Sequence, residues 1–256
     1  MQVLVLAGSR GGEDPVALHA GVDQKCLAPV AGRTMIEHVA GALLAVGGVE
    51  RIHIAANDPD ALASLPVLAD PRIATGGCEP TPSLTVAACL EERTGTPLLV
   101  TTADHPLLTP AILERFLTDA RGLDADLAVG LVSSETVLAA SPHTRRTWLT
   151  FQGGRYSGAN LFWLARPQAA SAVAFWRRVE QERKKPWRIA RAMGPGLLLS
   201  YLLRRLTLDQ ALERASVKIG ARARAVLLPF AEAAIDVDKP DDLEYARAIL
   251  QARKTG

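Results

Sequence analysis

Residues 3–32 read VLVLAGSRGGEDPVALHAGVDQKCLAPVAG. An apolar run ending at Leu6 and Ala7 enters the glycine-rich Gly8-Ser9-Arg10-Gly11-Gly12, and Lys25 precedes a second glycine turn at Gly32. Such a run predicts a buried strand, and the turn after it frees backbone N–H groups to converge on phosphate oxygens. Lys25 and Arg10 supply positive charge beside that turn. Glycine-rich turns between strand and helix also serve geometry alone in many α/β proteins, so the loop by itself names no ligand. It does exclude two. A P-loop requires a Gly-Lys-Ser/Thr ending, and a dinucleotide fingerprint requires glycine where Arg10 stands.

Two acidic segments lie far downstream. Thr102-Ala103-Asp104-His105-Pro106 follows the buried-strand candidate Pro97 to Thr101, and Pro106 cannot donate to a ladder. Asp104 is therefore expected at the carboxyl end of a strand, where open α/β sheets bind ligands. Farther on comes Ile235-Asp236-Val237-Asp238-Lys239-Pro240-Asp241-Asp242-Leu243. Read as a strand, its alternation puts Asp236 and Asp238 on one face and Ile235 and Val237 on the other. Pro240 then suits the first position of a helix whose early acids, Asp241 and Asp242, complement its positive end.

In this order the segments LAGSRGG, KCLAPVAG (Lys25 to Gly32), DHP (Asp104 to Pro106) and DVDKPDDL (Asp236 to Leu243) resemble the MobA-like NTP transferases, nucleotidyltransferases of the molybdenum cofactor guanylyltransferase and sugar-phosphate cytidylyltransferase type. The resemblance runs over nearly the whole chain. It implies an α/β fold, a doubly wound, mostly parallel sheet of nucleotide-diphospho-sugar transferase (glycosyltransferase-A-like) type. It also implies one nucleotidyltransferase domain over 1–256 with a helical insert at about 167–220. The opening departs from the family pattern: Arg10 replaces the second loop glycine, Glu13 adds an acid, and the family's later arginine is absent.

The resemblance implies transfer of an NMP from an NTP to a phosphorylated small-molecule acceptor, a sugar phosphate or similar, with release of pyrophosphate. Lys25, Arg10 and Asp104 become the catalytic candidates. Leu6, Ala7, Gly8, Ser9, Gly11, Lys25, Gly77, Ser83 and Asp104 become the nucleotide-binding ones. Asp104 and Asp238 match the family's metal positions, Mg2+ being the expected cofactor because it takes one or two carboxylates together with substrate phosphates. Asp236 is a weaker third ligand candidate. Asn160, within YSGANLF (Tyr156 to Phe162), sits in the segment that resembles the acceptor contact of these enzymes. Two other readings stay open: a nucleotide-sugar-dependent glycosyltransferase, and a non-catalytic nucleotide-binding protein of the same fold.

The remaining sequence alternates strand-like and helix-like segments. Thr34 to Val46 carries apolar residues at helical spacing, and Ile52 to Ala55 reads as a strand. Gly76-Gly77 precedes a probable helix start at Ser83, where the serine can cap the helix and the glycine leaves room for a base. Leu127 to Val132 reads as a central strand, and Thr147 to Gln152 with Gly158 to Leu164 as a pair closing an acceptor pocket. Ala169 to Gly220 reads as helical, broken at Pro186 and at Gly194-Pro195-Gly196, and its leucine-rich piece, Leu197 to Leu206, is read first as core, with a dimer contact or a shallow membrane contact as the alternatives.

Charge and cysteine content narrow the partners. Lysine and arginine number 29 against 27 acids, a balance that argues against a nucleic-acid binder. The exception is Trp176 to Arg191, WRRVEQERKKPWRIAR, which fits a solvated helix face or a peripheral contact with an anionic surface. No apolar run is long enough to span a bilayer. The chain opens without a basic segment followed by an apolar one, so a secretory signal is not expected and the cytoplasm is the expected compartment. Cys26, Cys78 and Cys89 share no CxxC spacing and fit free thiols, with Cys26 read as a packed small residue rather than a reactive one. Base, acceptor and oligomeric state are not specified at this level.

Overall fold

The computed structural model describes residues 1–9, 14–92, 97–141, 147–182 and 195–255. At its centre lies β1 (Gln2–Leu6), paired in parallel with β4 (Arg51–Ala56) on one side and with β6 (Leu98–Thr102) on the other. Beyond β4 comes β5 (Ile73–Gly77), also parallel. Beyond β6 the sheet continues through β9 (Gly154–Leu164), β7 (Leu127–Ser133) and β10 (Ala223–Leu227), while β8 (Leu149–Phe151) forms a hairpin with β9. β9 runs antiparallel to both of its neighbours, and β7 and β10 run parallel to each other. The result is an eight-stranded, mostly parallel sheet, as expected from the sequence. The short ribbon of β2 (Pro29–Val30) and β3 (Arg33–Thr34) stands apart from it.

The continuous apolar run of β1 follows from burial on both faces. Val3 and Val5 pack in the cluster that holds Ile36 and Val39 of α2 (Met35–Leu44) and Ile112 and Phe116 of α4 (Pro110–Gly122). Leu4, facing the other way, meets Val86 and Cys89 of α3 (Pro82–Glu92) and Val173 of α6 (Ala169–Glu182). Helices therefore cover both sides of the sheet. The region expected to be helical after β9 contains α6, α7 (Pro195–Leu202) and α8 (Leu208–Ile219). The chain breaks expected at Pro186 and Gly194 lie outside the described residues.

A second, smaller core sits at one end of this sandwich. It joins Val16 of α1 (Pro15–Ala20), Val30, Met35 and Leu107 to Ile235, Val237, Leu243 and Leu250, the last two from the terminal helix α9 (Pro240–Thr255). The Asp236–Asp238 segment is not a strand, contrary to the sequence expectation. Its one ladder-like bond is from Val237 N to the carbonyl of Asp104, at 2.9 Å. Local alternation survives nonetheless, because Ile235 and Val237 anchor in this core and turn the two aspartates outward.

The Thr34 to Val46 helix starts where its sequence says it should. Thr34 Oγ1 accepts from Glu37 N, and the Glu37 carboxylate accepts from Thr34 N at 2.8 Å, closing a reciprocal capping box. Thr34→Ala is expected to lower stability by about 1 kcal/mol in urea denaturation, with the m-value unchanged. An unaltered midpoint would show that the cap contributes nothing here.

Candidate active site

A cleft of about 550 Å³ opens at the carboxyl ends of β1 and β6. Leu6, Ala7, Gly8 and Ser9 form its floor where β1 ends, and Thr102 and Asp104 border it where β6 ends. The turn at Gly8 is tight for a packing reason: a Cβ there would lie 2.7 Å from Cys78 Sγ. Ser9 is fixed by Asn57, whose Oδ1 accepts from Ser9 N at 2.5 Å and lies 3.2 Å from Ser9 Oγ. Arg10 and Gly11, the other residues expected in this loop, lie outside the described residues.

Lys25 stands on a single turn of 3-10 helix (Lys25–Leu27) and reaches into the cleft from the side. Its ammonium donates to Asp104 Oδ2 at 2.8 Å and to Asp238 Oδ1 at 3.0 Å, the second partner lying 213 residues away in the chain. Gln24, just before it, is buried and exchanges two hydrogen bonds with the backbone of Asp58, which pins the lysine turn to the end of β4. Asp238 is held from behind, because the Asp242 carboxylate accepts from the N–H groups of Asp238 and Lys239 at the start of α9. Asn160 borders the same cleft from β9, and its amide donates to Asp236 Oδ2 at 3.4 Å. Its φ of +51° falls where the β7–β9 register shifts, so a bulge aims this side chain instead of letting it alternate with its neighbours.

The electrostatics follow from these contacts. Burial pulls the Lys25 pKa down, but the charges and hydrogen bonds of Asp104 and then Asp238 outweigh it, and the net shift is upward. The ammonium therefore keeps its charge throughout the neutral range. Asp104 uses only one of its oxygens in this pairing. Its Oδ1 is buried without a hydrogen-bond partner, as is the hydroxyl of Thr102 beside it. Among the described residues, no three His, Cys, Asp or Glu side chains converge on one point, so any metal centre here rests on two carboxylates.

Residues 3–214 match the family described as the MobA-like NTP transferase domain. The chain belongs to this family of nucleotidyltransferases. It is 33% identical to a hypothetical transferase from Thermus thermophilus, over 94% of this chain and 98% of that one, with a TM-score of 0.79. The fold is also shared with CMP:2-keto-3-deoxy-manno-octonic acid synthetase complexed with CTP, at 15% identity, TM-score 0.61, and coverage of 98% and 99%. A third relative in fold is 4-diphosphocytidyl-2C-methyl-D-erythritol synthase from Anaerococcus prevotii DSM 20548, at 12% identity, TM-score 0.60, and coverage of 98% and 95%. No curated protein matches the chain. Asp236 and Asp238 follow the family-matched residues, and it is the geometry that joins them to the transferase cleft.

Several residues of this transferase lie elsewhere than its sequence suggests. Ser83 does not cap α3 at the nucleotide side. It is fully buried and donates to the Glu180 carboxylate of α6, because α3 begins one residue earlier, at Pro82, and turns the serine toward its partner helix. Gly77 ends β5 and does not line the cleft, where Cys78, Glu79, Pro82 and Thr85 form the wall instead. Trp176, read as an interfacial residue, borders the cleft with its ring stacked on Phe162 at 6.5 Å between centroids. Trp187 and the basic residues from Arg183 to Arg191 lie outside the described residues. The sequence reading missed Gln24, Asn57 and Trp176 as parts of the site. Only Gln24 offered a signal, as the neighbour of a lysine already under suspicion.

Cys26 packs as expected, with 2% of its surface exposed, and burial, aided by Asp104, pushes its thiol up to about 11 from 9.0. Below pH 9 both folded and unfolded thiols are protonated. Above it, only the unfolded one releases its proton, so stability falls as pH rises toward 11, by about 3 kcal/mol from this group. Chemical denaturation at pH 8 and pH 11 is therefore expected to show a smaller alkaline loss for Cys26→Ala than for the parent, by about that amount. Equal losses in the two proteins would contradict a buried, protonated thiol.

Proposed function

We propose that this transferase moves a nucleoside monophosphate from an NTP to a phosphorylated small-molecule acceptor, a sugar phosphate or a compound of similar charge, in a magnesium-dependent reaction. The observation that carries the reading is the Lys25 ammonium held between Asp104 and Asp238 at the mouth of the β1 and β6 strand ends. An acceptor phosphate oxygen attacks the α-phosphorus of the NTP, a bond forms between them, and the bond to the β-phosphate breaks to release pyrophosphate. Both reactants are anions. Holding them in line and compensating their charge is most of what the protein must do.

The chain's own residues divide that work. The Gly8–Ser9 turn borders the phosphates, Arg10 adds positive charge next to it in the sequence, and Lys25 neutralises the departing pyrophosphate. Asn160 orients the acceptor, and its bond to Asp236 keeps the amide aimed at the cleft. Thr85 and Pro82 line the cleft and are assigned to the base. Asp104 and Asp238 would hold the magnesium ion. A carboxylate oxygen of Asp104 buried without a hydrogen-bond partner fits such a hard cation, and 65% exposure of the Asp238 side chain leaves it reachable from the substrate side. Bound there, the ion supplies positive charge against the triphosphate.

Pyrophosphate release from ATP, CTP, GTP and UTP, each offered with a panel of sugar and alditol phosphates, tests the reaction. CTP comes first because one protein of this fold was solved with it. One donor–acceptor pair is expected to release pyrophosphate only with magnesium present. Lys25→Ala is expected to slow that pair by roughly a hundredfold, the usual cost of removing one preorganised donor. Pyrophosphate release that is unchanged in Lys25→Ala would remove this lysine from the mechanism, and nucleotide turnover without pyrophosphate would replace nucleotidyl transfer by another reaction.

A further inference from the structure

Three leucines of the piece expected in the core are not in it. In α7 and the turn that follows, Leu199, Leu202 and Leu203 expose 57%, 65% and 51% of their surfaces. They stand three and four residues apart and so share one helical face. Leu149 of β8 adds another exposed apolar side chain at 42%. It shares a strand face with Phe151, whose ring meets Tyr201 of α7 edge-on at 5.4 Å. Leu206 is buried, and its carbonyl accepts from Gln152 N. Tyr201 and Leu206 thus tether the helix to the β8–β9 hairpin, and the leucines are left outward.

Two cations adjoin this face in the chain. Arg204 ends the helix in a left-handed conformation, φ +54°, and Arg205 follows it, both exposed. By sequence, the stretch from Arg183 to Arg205 carries seven basic residues and no acid, and the first acid after it is Asp209. A second copy of the chain seated on this face across a two-fold axis would bring like charges together. A surface that is apolar within and anionic at its boundary matches both the leucines and the arginines. The face also lies toward the cleft end of the sheet. β8 pairs with the part of β9 that lies opposite the carboxyl end of β7, and the cleft opens at that same end of the sheet.

We infer that Leu199, Leu202, Leu203 and Leu149, with Arg204 and Arg205, form a docking face for an anionic phospholipid bilayer, on which the enzyme lies peripherally. Among the described residues no helix is long and apolar enough to cross a membrane, so the contact is confined to the bilayer surface. The inference does not depend on which reaction the cleft performs, and its test requires no turnover.

Flotation of the full chain with vesicles tests it. Binding to phosphatidylcholine vesicles containing phosphatidylglycerol is expected at low salt, with less binding as salt is raised and little to vesicles of phosphatidylcholine alone. The double variant Leu202→Ser/Leu203→Ser should bind roughly tenfold more weakly. Arg204→Ser/Arg205→Ser should lose most of the salt dependence. All four positions are exposed, and unchanged thermal melting of the variants verifies that they fold. The proposal is overturned if the parent fails to float with anionic vesicles, if the leucine variant floats equally well, or if sedimentation reveals a dimer that the leucine variant dissociates.

Discussion

Ile235 and Val237, buried beside Val16, Val30 and Met35, are the contact on which the cleft depends. The first loop and the C-terminal arm have no strand in common, and this small core fastens one over the other, helped by Arg247 and Lys254, which donate to the carbonyls of Pro29 and Ala31. Each fully buried aliphatic side chain contributes about 1.5–3 kcal/mol. That gain offsets the cost of drawing Lys25 and Asp104 together largely out of water, which an ion pair rarely recovers by itself. The hydrophobic residues of the DVD segment therefore do as much for the site as its acids. They set the direction in which the acids point.

The resting arrangement satisfies the lysine more completely than the carboxylates. Lys25 has two acidic partners, whereas Asp104 retains a buried oxygen with no hydrogen bond. Such an atom costs free energy unless something comes to it. A cation held by Asp104 would satisfy that oxygen and supply charge against a triphosphate, and the free protein already holds Lys25 and the two carboxylates together at the cleft. Gln24 and Asn57 serve this arrangement chiefly through backbone contacts, which fix the two loops that meet at the end of β4.

How much of this was legible depended on the kind of interaction. Strands buried on both faces announce themselves as apolar runs, and β1, β4 and β6 lie where such runs predict them. The lysine and the two acidic segments were legible because proline and glycine mark the ends of strands. Ser83 was misread because a serine before an apolar run looks like a cap whichever way it faces, and a one-residue shift of the helix start turned it inward. The Leu197 to Leu206 piece was misread because it is apolar all round. Composition cannot say that Tyr201 and Leu206 find neighbours to pack on while Leu199, Leu202 and Leu203 do not. Trp176 was misread because its partner Phe162 comes from a strand fourteen positions earlier, a pairing visible only in three dimensions.

The central claim is that Asp104 and Lys25 belong to one charge-compensating centre for a triphosphate and its ion. Calorimetric titration of the preferred NTP, with and without magnesium, into the parent and Asp104→Asn tests it most directly. Magnesium is expected to tighten binding to the parent by roughly tenfold or more and to leave Asp104→Asn nearly unaffected. An equal magnesium effect in both proteins would place the ion elsewhere and contradict the account.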